Sequence, residues 1–209
     1  MAGGANNITF LEYAYSKDIY ILGSGKSLDL IPKSFFSDKV TIGVNTVYKH
    51  IPVTYSISHH HHIIQEMIDS GVITVTSEYD MCIMDKPTHN FDGEYYFYKH
   101  KAQGFLHVNM DDFDNQESLV CGGTIVIEAL HLAYRLYAKN IILCGVDGGS
   151  IDDEFNVSGY AVPTASQHMN NVQPQINDMC NKIRSKGVGV FSLNPFNNLT
   201  LEGHTFKQS

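Results

Sequence analysis

The chain has 209 residues, of which 43% are hydrophobic and 17% charged, and its formal net charge is -8 at pH 7. This composition is typical of a soluble globular protein and excludes a fibrous or largely disordered one. Only 14 residues are Lys or Arg, which leaves no electrostatic footprint for duplex nucleic acid or an anionic membrane, so neither is expected as a partner. The length fits one domain with a full-sized core.

The first predicted element is a strand followed by the stretch ILGSGKSLDLIP. Its Gly-Lys-Ser core suggests the phosphate loop of an ATPase, but Tyr20 occupies the position of that loop's first glycine. A dinucleotide fingerprint fails as well, because Leu28 stands where the third glycine would be. What remains is a strand, a Gly-Ser-Gly turn and a helix start, which still direct backbone N–H groups toward an anion.

Further along the chain, short apolar runs rich in β-branched residues alternate with helical segments. The predicted strands are DIYILG, KVTIGV, VTYSIS, GVITVT, NIILCGV and GVGVFSL, and the predicted helices are 27–36, 60–70, 123–138 and 166–186. Strands that are apolar on both faces are typical of a parallel sheet covered by helices on each side. The pattern therefore predicts a single α/β domain of Rossmann type.

Two stretches interrupt this rhythm. Residues 77–118 are rich in Tyr, His, Asp and Asn, and are interpreted as an inserted acceptor or lid region with a hairpin around residues 94–98. Residues 148–165 form a second irregular connection. Long connections often carry binding loops, so acceptor specificity is expected there.

No apolar run approaches the roughly 20 residues of a membrane span, and the start MAGGANNITF lacks the pattern of a secretory signal. The four cysteines show no C-x-x-C spacing and predict reduced thiols. A cytoplasmic protein without a membrane span is expected, and a homo-oligomer is compatible with the sequence.

Polar residues collect where the predicted strands end. Ligands of open parallel sheets bind beyond the carboxyl ends of the strands, where helix N-termini also point inward. Each polar group alone is equally compatible with a turn or a cap, but together they predict one binding rim. The rim consists of Gly23, Ser24, Gly25, Asn45, Thr46, Ser58, the histidines 59–62, Cys121, Gly122, Gly123, Thr124, Asp147, Gly148 and Gly149.

These landmarks, in order, resemble a known enzyme family. ILGSGKSLDLIP, VTIGVNTVY, CGGTIVIEALHLAYRLYAKNIILCGVD, an isolated His168 and VFSLNPFNN are similar to the landmarks of the bacterial sialyltransferases of glycosyltransferase family 42. They also resemble a neighbouring group with motility-associated glycosyltransferases and a 6-hydroxymethylpterin pyrophosphokinase. The resemblance implies a GT-A-like variant of the Rossmann fold.

The resemblance also implies roles for individual residues. His168 matches the general base, Asn45 a nucleotide-contacting asparagine, and Tyr160 a phosphate-binding tyrosine, while Ser24 and Lys26 depart from the family's Asn and Pro. The implied nucleotide-binding set is Gly23, Ser24, Gly25, Ser27, Asn45, Thr46, Gly122, Gly123, Thr124, Asp147, Gly148 and Tyr160. Ser58, His59 and His60 are assigned to the substrate side.

The resulting prediction is a glycosyltransferase that moves a sialic-acid-like sugar from a CMP-activated donor to a glycan or small-molecule acceptor, with inversion. No metal or other cofactor is required in this interpretation, because one phosphate can be held by N–H and hydroxyl donors. Two alternatives stay open. One is an Mg²⁺-dependent pyrophosphokinase acting on a pterin-like hydroxymethyl compound, with Asp147 or Asp112 on the metal. The other is a non-catalytic nucleotide-binding module.

Overall fold

The computed structural model describes residues 4–11, 14–78, 91–99, 108, 110–147, 154–160 and 166–193. Within these ranges, the side chains of Phe10, His61, Asp112 and residues 166–171 are not described. The strands are β1 (Ala5–Asn7), β2 (Asp18–Leu22), β3 (Val40–Val44), β4 (Tyr55–Ser58), β5 (Ile73–Ser77), β6 (Tyr95–Tyr98), β7 (Asn140–Cys144) and β8 (Gly189–Ser192). The α-helices are α1 (His61–Asp69), α2 (Ile125–Arg135) and α3 (Ser166–Ser185).

All eight described strands form one sheet in the order β1-β6-β5-β4-β3-β2-β7-β8, and every pairing between them is parallel. The β4-α1-β5 and β7-α3-β8 units advance across the sheet in opposite directions. Because such crossovers are right-handed, α1 and α3 cover opposite faces. The predicted Rossmann-like α/β fold is thereby confirmed.

Helix α2 lies at the centre of the core. It packs against β2, β3, β4 and β7 on one side and against α3 on the other. Every residue from 125 to 133 is buried, which explains why this helix is apolar around almost its whole circumference. Two polar side chains, Glu128 and His131, are buried with it.

Two local predictions are wrong. Residues 27–36 form two short 3-10 helices, Lys26–Leu30 and Lys33–Phe36, because Pro32 lacks an N–H and holds Ile31 in an extended conformation. Residues 95–98 do not form a hairpin, since β6 is paired in parallel with both β5 and β1.

The three described cysteines are thiols that lie in or beside the apolar core. Cys144 and Cys180 are buried and Cys121 is half-buried. Burial raises the pKa of the Cys180 thiol to about 12 and also raises that of Cys144, so both stay protonated near neutral pH.

Candidate functional site

The candidate site is a cavity of about 180 Å³ at the carboxyl ends of β2, β3 and β7. The chain runs from β2 to β3 on one side, while β7 and β8 extend the sheet on the other side of β2. A crevice opens where the strand order reverses in this way, and ligands of open α/β sheets bind there. The described lining residues are Gly23, Ser24, Gly25, Val44, Asn45, Thr124, Ile125, Val126, Gly145, Val146, Asp147, Phe155, Asn156, Tyr160, Val172, Gln173 and Ile176.

The floor of the cavity is made by two interlocked glycine turns, one after β2 and one after β7. The Gly25 N–H donates to the Gly145 carbonyl over 2.7 Å. A Cβ on Gly25 would lie only 2.6 Å from that same oxygen, and Gly145 itself has φ +64. Glycine is therefore required at both positions, once for close approach and once for the left-handed backbone.

Asp147 ties these two turns together. Its Oδ2 accepts a 2.7 Å hydrogen bond from the Ser27 N–H, and its Oδ1 accepts one from the Ser27 hydroxyl. The carboxyl group is buried, which raises its pKa, whereas the two bonds from Ser27 act to lower it. The geometry indicates that Asp147 fixes the first turn of the 3-10 helix Lys26–Leu30, with both of its carboxylate oxygens bonded to Ser27.

Asn45 enters the cavity from the end of β3. It adopts a left-handed backbone with φ 51, which asparagine tolerates better than most residues. Its Oδ1 accepts a 3.0 Å hydrogen bond from Ser58, whose Oγ also accepts the His60 N–H. This chain of bonds joins a predicted nucleotide contact to two of the predicted substrate-side residues.

His59 and His60, which follow β4, are largely shielded from solvent, whereas His62 is exposed. His59 is buried and packs edge-on against the half-buried His60, with ring centroids 4.8 Å apart. Ser58 is fully buried beneath them. None of the three belongs to the described lining of the cavity, and neither does Thr46, which lies in the 3-10 helix Asn45–Lys49.

The amino end of α2 faces the cavity. Thr124 is the N-cap, with its side chain accepting from the Val126 N–H, and Thr124, Ile125 and Val126 all line the cavity. The positive end of the helix dipole therefore favours an anionic group there. The preceding glycines, Gly122 and Gly123, lie outside the described lining, and the Gly123 N–H is bound by Gln175 of α3 over 2.8 Å.

Residues 154–160 form the outer wall and supply contacts that the sequence did not reveal. The described lining includes Phe155, Asn156 and Tyr160 from this segment, and Val172 and Gln173 from α3. Tyr160 was assigned from the family resemblance, whereas Asn156 and Gln173 carry no sequence signal beyond their place in an irregular loop and a polar helix. An antiparallel bridge between Gly25 and Asn156 brings the wall to the cavity.

Some of the predicted rim and site residues fall outside what the structure describes. Gly148 and Gly149 lie in an undescribed segment, and the side chains of His61 and His168 are not described, although the backbone of His168 belongs to the first turn of α3. Val172 and Ile176 line the cavity at positions four and eight residues later. In helical register, position 168 thus belongs to the side of α3 that meets the cavity.

Among the described residues, no group of three His, Cys, Asp or Glu side chains is arranged to hold a metal ion. Within the same part of the chain, none of the helices combines the length and the apolar character that a membrane crossing requires.

A second, larger cavity of about 450 Å³ lies on the other side of the sheet's carboxyl ends, at the amino ends of the strands. It is bordered by segments that precede β2, β7 and β8, including Tyr15 and Tyr137, whose rings stack with centroids 5.2 Å apart. Because it lies at the amino ends of the strands, it lacks the position and the helix N-terminus that distinguish the first cavity.

Comparisons with known proteins give information on the fold only. No protein-family model and no curated protein matches the chain. The structure is similar to the Maf glycosyltransferase from Magnetospirillum magneticum AMB-1, with a TM-score of 0.59 and 15% identity over 100% of this chain. This chain spans only 37% of the length of that protein.

A second similarity is to the sialyltransferase CstII from Campylobacter jejuni in complex with cytidine-5'-monophosphate. It has a TM-score of 0.48 and 12% identity, and covers 94% of this chain and 86% of that one. Another CstII structure, with CMP and a trisaccharide acceptor, has a TM-score of 0.49 and 12% identity, covering 91% and 89%. The fold is the one shared with the Maf glycosyltransferase, and it agrees with the fold that the sequence resemblance implied.

Proposed function

We propose that this chain is a glycosyltransferase that moves a sialic-acid-like sugar from a CMP-activated donor to an acceptor hydroxyl. The observation that carries the proposal is the cavity at the strand reversal, where Asn45, the 23–25 turn and the amino end of α2 converge. The motif resemblance to sialyltransferases and the Maf-like fold support the same class.

The donor's nucleotide occupies the cavity floor. The first turn of α2 stabilises its phosphate through the helix dipole and backbone N–H groups, and the Tyr160 hydroxyl adds a donor from the wall. The amide nitrogen of Asn45 donates to the nucleotide, because its Oδ1 is already engaged by Ser58.

The transfer step is a displacement at the anomeric carbon. The acceptor oxygen forms the new bond to that carbon while the bond to the phosphate oxygen breaks, with inversion, and the nucleotide monophosphate leaves. His168 takes the proton of the acceptor hydroxyl as general base. Ser58, His59 and His60, which adjoin Asn45, border the acceptor side.

No metal is required for this donor, because a single phosphate is neutralised by the helix end and hydroxyl donors. The Mg²⁺-dependent pyrophosphokinase alternative gains no support from Asp147, whose carboxyl group is buried and bonded to Ser27. We further propose that the partners are the nucleotide-sugar and a glycan or small-molecule acceptor.

A thermal-shift screen with CMP, CDP, UDP, GDP and ATP, each with and without Mg²⁺, tests the proposal. A ligand at 100 times its Kd stabilises the folded state by about 2.7 kcal/mol. CMP is expected to give the largest shift, equally in EDTA and in Mg²⁺. A shift with ATP that appears only with Mg²⁺ would favour the pyrophosphokinase, and no response to any nucleotide would refute both activities.

A further inference from the structure

The lysine of the GSGKS stretch does not point into the cavity floor as a phosphate-binding lysine would. Lys26 is absent from the described lining of the cavity. Its neighbour Gly25 lines the cavity, and its other neighbour, Ser27, bonds to the lining residue Asp147. Its Nζ lies 3.0 Å from the Asp29 carboxylate and 3.3 Å from the Ser158 hydroxyl, and it forms an ion pair with Glu154. The ammonium group is thus engaged outside the cavity.

Asp29 completes the same cluster from the next turn of the short helix. Its Oδ2 accepts the Ser158 hydroxyl over 2.7 Å and the Ser158 N–H over 3.0 Å. We name Lys26, Asp29, Glu154 and Ser158 the clasp. Two of its members follow β2 and two belong to residues 154–160, so the clasp joins the glycine turn to the outer wall.

Main-chain contacts alone hold the wall at only a few points. The Val157 N–H donates to the Ser24 carbonyl over 2.8 Å, and Gly25 and Asn156 form an isolated bridge. The segment lies in no described helix or strand, yet it supplies Phe155, Asn156 and Tyr160 to the cavity. Val157 is buried in the core and Tyr160 packs beside the His50 ring, with centroids 6.1 Å apart, so the clasp adds a separate set of side-chain contacts at the 154–158 end of the wall.

We propose that Lys26 is a positioning residue that holds residues 154–160 over the nucleotide cavity through the clasp, and that it does not bind the phosphate. The nucleotide readout of this proposal rests on the proposed function. The Lys26 ammonium contacts Asp29 on its own side of the junction and both Ser158 and Glu154 on the wall side. Exposed ion pairs are individually weak, so the expected effect is on the wall and not on the global fold.

The first test separates a positioning role from direct phosphate binding. Lys26→Met is expected to weaken binding of CMP and of the phosphate-free nucleoside cytidine by the same factor, about threefold to tenfold, measured by calorimetry. Lys26→Arg is expected to restore most of the affinity for both. Lys99→Met, which removes an exposed ion pair with Glu117 elsewhere, serves as the matched control and is expected to change neither.

A loss confined to CMP, with cytidine binding unchanged, would overturn the proposal and assign Lys26 to the phosphate. Unchanged binding of both ligands would also overturn it. Equal losses with an unchanged melting temperature would support it, because a purely structural lysine would lower the melting temperature instead.

The second test needs no nucleotide. The chain contains no tryptophan, so Phe155→Trp places a single tryptophan on the wall, whose emission can be excited separately from that of the tyrosines. Adding Lys26→Met or Asp29→Asn is expected to lower the steady-state anisotropy of this tryptophan and shift its emission to the red, whereas Lys99→Met leaves both unchanged. Unchanged anisotropy in both clasp variants would refute the clasp. A mobile wall in a protein that binds no CMP would support the clasp while contradicting the proposed function.

Discussion

Asn45 shows how a single side chain is prepared for binding. It is half-buried, its backbone is left-handed, and the Ser58 hydroxyl holds its Oδ1. An amide held by its oxygen presents its nitrogen in a fixed direction, and Asn45 lines the cavity. The bond from Ser58 therefore sets the direction in which the nitrogen donates.

Replacing Asn45 with alanine should weaken CMP binding by about 1–3 kcal/mol, because a buried partner on the nucleotide loses its donor. Ser58→Ala should produce a smaller loss, since the amide stays but is no longer oriented. Calorimetric titration of both variants measures this order. If Asn45→Ala folds normally and binds CMP as tightly as the unaltered protein, Asn45 serves only the turn after β3 and does not contact the nucleotide.

Asp147 and Ser27, both predicted nucleotide-binding residues, form a buried hydrogen-bonded pair that also contributes to stability. Removing the carboxylate by Asp147→Ala should lower the free energy of unfolding by about 1.5–3 kcal/mol, because a charge-assisted bond is lost and the Ser27 N–H is left without its acceptor. Ser27→Ala should cost only about 1 kcal/mol, since the backbone bond is kept. Urea unfolding compares the two, and equal losses would show that the N–H bond contributes little.

His168 is the residue whose chemistry the proposal needs most. A sugar hydroxyl is a poor nucleophile at neutral pH, and a general base typically contributes about 10²–10⁴-fold to the rate. His168→Ala should reduce transfer by that factor while CMP affinity and melting temperature stay unchanged. Glu66→Gln, an exposed position on α1 that lies in none of the predicted sites, provides the control, with no expected effect.

If transfer by His168→Ala persists within a few-fold, the base lies elsewhere. His59 and His60, which adjoin Asn45 through Ser58, would then be the next residues to replace.

At the scale of elements, α2 carries two ionisable groups that the fold keeps neutral. Burial lowers the pKa of His131 to about 3 and raises the pKa of Glu128 to about 8. The His131 Nδ1 accepts the Val120 N–H over 2.8 Å, so its Nε2 carries the proton and donates to the Phe113 carbonyl over 3.0 Å. His131 thereby fastens residues 113–120 to the central helix.

His131 lowers the stability of the fold at acidic pH, and Glu128 lowers it at alkaline pH. The pKa of His131 is below its usual 6.5, so its contribution to the free energy of unfolding is complete above pH 6.5 and is lost as the pH falls toward about 3. The pKa of Glu128 is above its usual 4.5, so its contribution is complete below pH 4.5 and is lost as the pH rises through about 8.

Glu128→Gln should therefore stabilise the protein increasingly as the pH rises. The difference in unfolding free energy from the unaltered protein should grow by about 2–4 kcal/mol between pH 4.5 and pH 8, because the amide cannot ionise in either state. Urea unfolding at several pH values measures it, with the exposed Glu66→Gln as control. A difference that does not change with pH would mean that Glu128 ionises normally in the folded protein.

Helices and strands were predictable where the hydrophobic pattern of the segment itself determines them. A strand is found in each of the six predicted apolar, β-branched runs, and α3 ends within one residue of its predicted limit. Residues 94–98 were predicted as a hairpin because YYFY lies in a polar context; the parallel pairing of β6 with β1 and β5 is a tertiary effect that this local pattern does not show. The break at Pro32 could have been anticipated, since proline restricts the residue before it.

For the whole molecule, the location of the site followed from topology. Parallel strands place their carboxyl ends on the same side of the sheet, so the residues after β2, β3 and β7 had to meet there. Topology does not determine which of these groups contact one another. The bond between Ser27 and Asp147 and the wall formed by residues 154–160 depend on contacts between segments more than 100 residues apart in the chain.

The central claim is that the cavity at the strand reversal binds the nucleotide of a CMP-activated donor, and amide NMR spectra of the protein titrated with CMP test it most directly. Saturable shifts are predicted for the amides of Gly25, Asn45, Thr124 and residues 155–160, which surround the cavity. The amides around the second cavity, such as those of Tyr15 and Tyr137, should not move. Shifts concentrated at the second cavity, or none at millimolar CMP, would contradict the account.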